Sequence, residues 1–293
     1  MISAESVIGP TAEVTAAPGA AQPTWRLLLR KPTFLAGAAI LLFWVVCALF
    51  GRQIAPHDPT VQSLFATNAG PSAAHWFGTD QLGRDVLSRV IVGSRSILLI
   101  AVASTLLGTV LGTALGLAMG YLGGVFDLLV GRVVEAVLAL PVVIVAFLFI
   151  VAVGPSTLTL ILVIGFVFTP LIARTVRSSV LVERQLDYLA SARLLGAGAV
   201  NIMATEVLPN VLPAVLVEFT VRVGYAIFTV ATLSFLGFGV QPPTPDWGGD
   251  IFANYGVLAA GYWWETLFPA LAIASLVVAI NLVADSAEQV LAS

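Results

Sequence analysis

Glu218 and Arg222 stand four residues apart, one helical turn, inside an apolar run at 211–235. Charges at membrane depth are costly, and they mark either a functional site or a pair that neutralises itself on the inner side of a helix bundle. Spacing leaves both readings open. The expectation is that the two residues neutralise each other and help keep the inner half of a pathway closed. Other chemistry is scarce. His57 and His75 are the only histidines, and Cys47 is the only cysteine. The histidines lie among scattered carboxylates, a pattern that defines no metal site. No HExxH, GxSxG or GxxxxGK[ST] string occurs, so the chemistries those strings carry have no footing in this chain. No catalytic residue, metal ligand or cofactor is therefore assigned, and a single cysteine allows no internal disulfide.

The elements that hold these residues are written in the composition. Hydrophobic residues make up 59% of the chain and charged residues 10%, and the mean hydropathy is +1.01. Such values belong to a chain embedded in a bilayer. Apolar runs at 34–50, 97–120, 129–153, 157–173, 211–235 and 265–284 are judged against the ~20 residues a helical crossing needs. The first and fourth are short by that measure, so their ends must lie further out. Solid runs of Leu, Val, Ala and Ile, without alternation, predict an all-α membrane protein of six spans rather than a barrel. Residues 25–293 form this membrane domain. Residues 1–24, rich in Ala, Pro, Thr and Ser and without a basic residue, read as a disordered cytoplasmic tail rather than a secretory signal.

Basic residues orient the set. With the N-terminus inside, the inner segments carry Arg26, Arg30, Lys31, Arg132, Arg174, Arg177, Arg184 and Arg193, against Arg52, Arg84, Arg89 and Arg95 outside. That asymmetry predicts both termini in the cytoplasm. The outer loop 51–94 then contains both histidines. From Asp80, a candidate N-cap, Leu82, Val86, Val90 and Ile91 form an apolar stripe with Asp85 and Arg89 as an i,i+4 pair, which predicts a short helix on the outer membrane surface. The second span carries Ser104, Gly108, Gly112, Gly116 and Gly120, each four apart. On a helix these make one small-residue ridge against which another backbone can pack closely. Packing within the subunit is preferred over packing against a partner. Arg132 and Glu135 open the third span as a local pair, and Pro141 within it should kink the helix.

One polar stretch interrupts the later spans. The inner loop 174–207 contains ASARLLGAGAVNIMATEVLPN at 190–210. Leu189, Ala192 and Arg193 lie at helical spacing before Gly196, and Ile202, Met203 and Val207 resume a stripe that ends at Leu208-Pro209. Two short helices about a glycine make a compact knob able to dock into a groove of another protein.

This stretch resembles the coupling loop of ABC-importer permeases: Glu-Ala-Ala, three residues, Gly, nine residues, a hydrophobic residue, any residue, Leu-Pro. Ala190-Ser191-Ala192 stands in place of Glu-Ala-Ala, Gly196 and Leu208-Pro209 fall in register, and Glu206 replaces the hydrophobic residue. Four further blocks resemble the C-type permeases of dipeptide and oligopeptide importers, whose nickel and glutathione relatives are closely similar. They are Phe77-Gly78-Thr79-Asp80 through Ser88-Arg89, Arg132 to Leu140-Pro141 with Glu135 in place of an aspartate, SFLGFGVQPPTPDWG from Ser234, and Asn281-Leu282 with Asp285. The resemblance implies the type I importer fold in the bacterial inner membrane. It also implies a second, B-type permease, two cytoplasmic ATPase domains that bind ATP and Mg, and an external solute-binding protein. The lipid bilayer is the remaining partner, and no nucleic acid is expected. Asp187, Ala190, Ser191, Ala192, Arg193, Leu195, Gly196 and Ala197 are the residues expected at the ATPase contact, with Arg193 or Asp187 supplying its ion pairing. A self-contained secondary transporter would instead show inverted repeats and unpaired mid-membrane acids, and neither is evident. Substrate identity lies beyond these residues, because specificity in such systems rests mostly with the binding protein.

Overall fold

The computed structural model describes residues 27–291; the tail at 1–24 and Arg26 lie outside them. Among the described residues the chain is helical, with one isolated antiparallel bridge between Thr79 and Asp85. Among the described residues five helices are long and apolar enough to cross a membrane, or six if one pair bent by 87° counts as a single span.

Helix α1 (Pro32–Ile54) starts with proline at its first position, where the missing N–H costs nothing. It packs through small residues. A Cβ at Gly37 would lie 2.7 Å from the Ala279 carbonyl oxygen, and one at Gly51 would lie 3.3 Å from that of Ile91. Helix α2 (Val86–Leu122) has 37 residues, about 55 Å at the ~1.5 Å rise of an α-helix. That exceeds the ~30 Å of hydrocarbon, so it protrudes from the membrane.

This length corrects the surface-helix expectation: Val86, Val90 and Ile91 belong to the first turns of the second span. Its N-cap is Asp85, whose carboxylate accepts from Ser88 N at 2.8 Å. Asp80 instead closes the preceding turn, accepting from Leu82 N and Arg84 N, and pairs with Arg84 Nε at 2.6 Å. The expected Asp85–Arg89 pair is also corrected. Arg89 turns to Asp250, with Nε at 3.1 and 3.2 Å from the two carboxylate oxygens, because a planar guanidinium gains more from a bidentate acid than from a single helical neighbour. The outer segment between α1 and α2 thus runs over 55–85, with a 3-10 turn at Leu64–Ala66.

The third run does not form one helix. Helix α3 (Gly124–Leu138) and helix α4 (Val142–Val153) meet at 87°, which corrects the kinked single span expected over 129–153. Pro141 is the N-cap of α4 with ψ 125; it lacks the donor to continue α3, and it pushes the residue before it away from helical geometry. Its carbonyl accepts from Ile144 N and Val145 N, so the broken ladder is partly resatisfied.

Helix α5 (Thr157–Glu183) is capped by Ser156 and runs through Pro170, well past the expected end at 173. Residues 174–183 of the expected loop at 174–207 are therefore helical extension of this span. Helices α6 (Asp187–Leu194) and α7 (Ala199–Ile202) follow, and a π-helical turn at Met203–Val207 leads into α8 (Leu208–Phe235). Helix α9 (Trp247–Asn254) and α10 (Trp264–Leu291) complete the chain.

The core lies between α2 and α5. A Cβ at Gly108 would stand 2.9 Å from Gly165 O, at Gly112 2.8 Å from Ile172 Cβ, at Gly116 2.7 Å from Ala173 O, and at Gly120 2.7 Å from Val180 Cβ. The ridge thus brings two backbones within contact inside one subunit, and the gain is dispersion over the whole seam. Ile97, Ile100, Leu160, Ile164, Phe168 and Ile227 fill the space around it.

Candidate functional site

The knob leaves α5 at Glu183 and re-enters the bundle at Leu208. Its apolar residues divide between two faces. Leu189, Ile202 and Val207 are buried in the chain's own core, whereas Leu194 is 89% exposed, Leu195 88% and Val200 75%. The stripe at helical spacing therefore anchors the knob, and a different set of leucines points away from the protein. Gly196 sits between the helices at φ +80, with no atom within 4 Å of where a Cβ would stand, a left-handed turn that ends α6. Asp187, Ala190, Ser191 and Arg193 are exposed, while Ala192 and Ala197 are half-buried.

Arg193 is engaged within the chain: its Nε donates to Tyr121 Oη at 3.3 Å and its guanidinium lies 5.1 Å from the Tyr121 ring centre. Asp187 is the more available charge for an ion pair. The base of the knob is tied by a network that spacing does not reveal. Tyr188 Oη donates to Glu183 and accepts from Asn210 Nδ2 at 2.9 Å, while the same Asn210 amide donates to Glu206 O. Burial, then the Glu183 carboxylate, pushes the Tyr188 phenol up to about 12, so it stays a donor. The end of α5 and the start of α8 are thereby joined through one side chain.

Three charged pairs lie on the helices beyond the knob. Arg177 Nε and Nη2 bind the Asp127 carboxylate at 2.5 and 2.6 Å, joining α3 to α5. This pair borders a cavity of about 540 Å³ that Arg132, Glu135 and Arg174 also line. Arg132 and Glu135 meet at 3.3 Å but are 75% and 69% exposed, so their pairing adds little. Glu218 and Arg222 meet at 2.6 Å with side chains 12% and 18% exposed. Losing one member strands the other in low dielectric at a cost of about 3–5 kcal/mol, whereas losing both is milder. Glu218→Ala and Arg222→Ala should each reduce transport strongly, and the double variant should recover part of it. Strictly additive losses in uptake assays would show that the two do not interact.

Buried polar and aromatic contacts join the segment after α8 to the start of α2. Trp247 is fully buried, donates from Nε1 to Val90 O at 2.8 Å, and meets Trp44 edge-on at 4.8 Å. A Cβ at Gly93 would reach within 2.9 Å of the Trp247 indole. Asp246 caps α9 through Gly249 N, and burial pushes its carboxyl up to about 6 against that hydrogen bond. The Pro-rich string before Trp247 thus delivers an indole and two acids to the start of α2.

Against this geometry the comparisons are specific. The model of binding-protein-dependent transport system inner membrane components matches residues 112–293, from the middle of the glycine ridge through the knob to the C-terminus. The chain belongs to that family. The N-terminal TM domain of oligopeptide transport permease C matches residues 20–71, which include α1. The dipeptide transport system permease protein DppC of Bacillus subtilis is 37% identical over 290 residues, 98% of this chain and 88% of the relative. The glutathione transport system permease proteins GsiD of Escherichia coli O6:K15:H31 and of Shigella boydii are each 38% identical over 265 residues, 89% of this chain and 86% of the relative. Within this multi-pass permease family the knob spans the segment that resembles the coupling loop.

Proposed function

We propose that this chain forms one half of the translocation pathway of an ATP-driven importer for dipeptides or oligopeptides. In this reading its termini are cytoplasmic, a B-type permease supplies the other half, and an external binding protein delivers the solute at the outer lobe. Two cytoplasmic ATPase domains bind ATP and Mg and grip the knob around Asp187, Ser191, Leu195 and Gly196. The observation that carries the reading is a pair of leucines, Leu194 and Leu195, held almost fully exposed on a polar insert of an apolar chain. Exposed neighbouring leucines of this kind belong in a partner's groove. The tied base offers the transmission: ATPase closure moves the knob, and Tyr188 pulls α5 and α8 together. Glu218 and Arg222 lie on α8, where that movement would open or close the inner half.

The complex reconstituted in vesicles with its cognate binding protein should take up labelled dipeptide only with ATP, and unlabelled dipeptide should compete better than glutathione. Better competition by glutathione would assign the substrate class of the GsiD relatives. Uptake by this chain alone, without ATP, would refute the reading. In a Cys47→Ala background, Ser191→Cys should resist an impermeant maleimide in intact cells and react in inverted vesicles.

A further inference from the structure

The two histidines are 18 positions apart in sequence, yet the fold sets their rings 4.7 Å apart, tilted by 38°, beside one carboxylate. His75 Nδ1 lies 2.8 Å and His57 Nδ1 3.6 Å from the same oxygen of Asp85. One ligand atom from each residue lies within 4.8 Å of the others. We propose that His57, His75 and Asp85 form a site for a divalent transition-metal cation, Zn2+ above all, that clamps the outer segment to the N-terminus of α2.

The donor set suits such an ion. Two imidazoles and one carboxylate match the borderline character of Zn2+ and depart from the all-oxygen preference of Ca2+ and Mg2+. Atoms sharing a tetrahedral Zn2+ at ~2.0–2.1 Å stand about 3.3 Å apart, midway between the two distances to Asp85. The ligand atoms of the whole set, within 4.8 Å of one another, must draw closer by rotation of the two rings to share one ion.

The supports are already in place. Asp85 is buried, and its second oxygen is occupied by Ser88 N and by Ser88 Oγ, at 2.8 and 2.7 Å, leaving the first oxygen for ligation. The Ser88 hydroxyl also accepts from His57 N at 3.0 Å, so one residue orients two ligands. Carboxylate and backbone anchoring of this kind is what tunes metal ligands elsewhere. The His57 side chain is 44% exposed, which provides entry and leaves a coordination position open to water or an outside group. The site joins the end of α1, the outer segment and α2, so the bound cation holds the lobe in one arrangement.

The experiment needs only this chain, purified in detergent with a tag free of histidine and stripped with chelator. Since His57 and His75 are the only histidines, added Co2+ reports directly on them. One Co2+ per chain should give the visible bands of a four-coordinate site, displaced by Zn2+, and Zn2+ should raise the thermal midpoint. His57→Asn and His75→Asn should each remove the bands, and Ser88→Ala should weaken binding about 10–100-fold. In the unaltered chain, Zn2+ should protect both histidines from diethyl pyrocarbonate, a readout independent of any variant's folding. Unprotected histidines, or Co2+ binding unchanged in the double histidine variant, would overturn the site.

Discussion

Gly196→Asp should leave the protein folded in the membrane and either separate ATP hydrolysis from uptake or release the ATPase altogether. The glycine holds φ +80 with open space around it, so the substitution strains only the knob's own turn and places a charge among its leucines. The anchors Leu189, Ile202 and Val207 remain buried and keep the bundle intact. Replacing Leu194 and Leu195 by Glu should act on the same proposed contact without backbone strain, because both side chains are almost fully exposed. Fully burying a leucine side chain is worth about 1.5–3 kcal/mol, so each loss should weaken the contact by roughly one to two orders of magnitude. The check is a purified complex assayed for ATPase retention, substrate-stimulated hydrolysis and uptake in parallel. Retention of both coupled hydrolysis and uptake in Gly196→Asp would remove the knob from the ATPase interface.

The second large effect lies in the membrane. Gly112→Leu with Gly116→Leu should prevent accumulation of folded protein, since even the first carbon of either side chain meets Ile172 Cβ at 2.8 Å or Ala173 O at 2.7 Å. Backbone oxygen cannot rotate away as a side chain can, so α5 must retreat along the whole ridge. Overpacking costs about 1–3 kcal/mol at a single well-packed site, and two neighbouring sites lose the seam's dispersion contacts as well. Gly256→Ala, with nothing within 4 Å, serves as the control that tolerates a methyl group. Fluorescence-detected size exclusion and thermal midpoints measure both. A double Leu variant as monodisperse and as stable as the control would contradict the packing role.

Much of the frame is local and hence legible in the chain. Apolar run length locates the crossings, because each helix must satisfy its own backbone in lipid. The four-residue spacing of Gly108, Gly112, Gly116 and Gly120 exposes the ridge, since 3.6 residues per turn puts them on one face. The same periodicity outlines two short helices about Gly196. Helical spacing names a face but not the neighbour that will cover it. Arg89 passes over Asp85 for Asp250, 161 positions away, and Arg177 finds Asp127 across 50. His57, His75 and Asp85 converge only because the outer segment folds back over the start of α2. Leu189, Ile202 and Val207 turn inward, leaving Leu194 and Leu195 outside, because the crossing of α5, α6 and α8 settles which side of the knob meets protein. A buried charge or apolar side chain takes the best partner the packed helices bring within reach, and that reach is a property of three dimensions rather than of order along the chain.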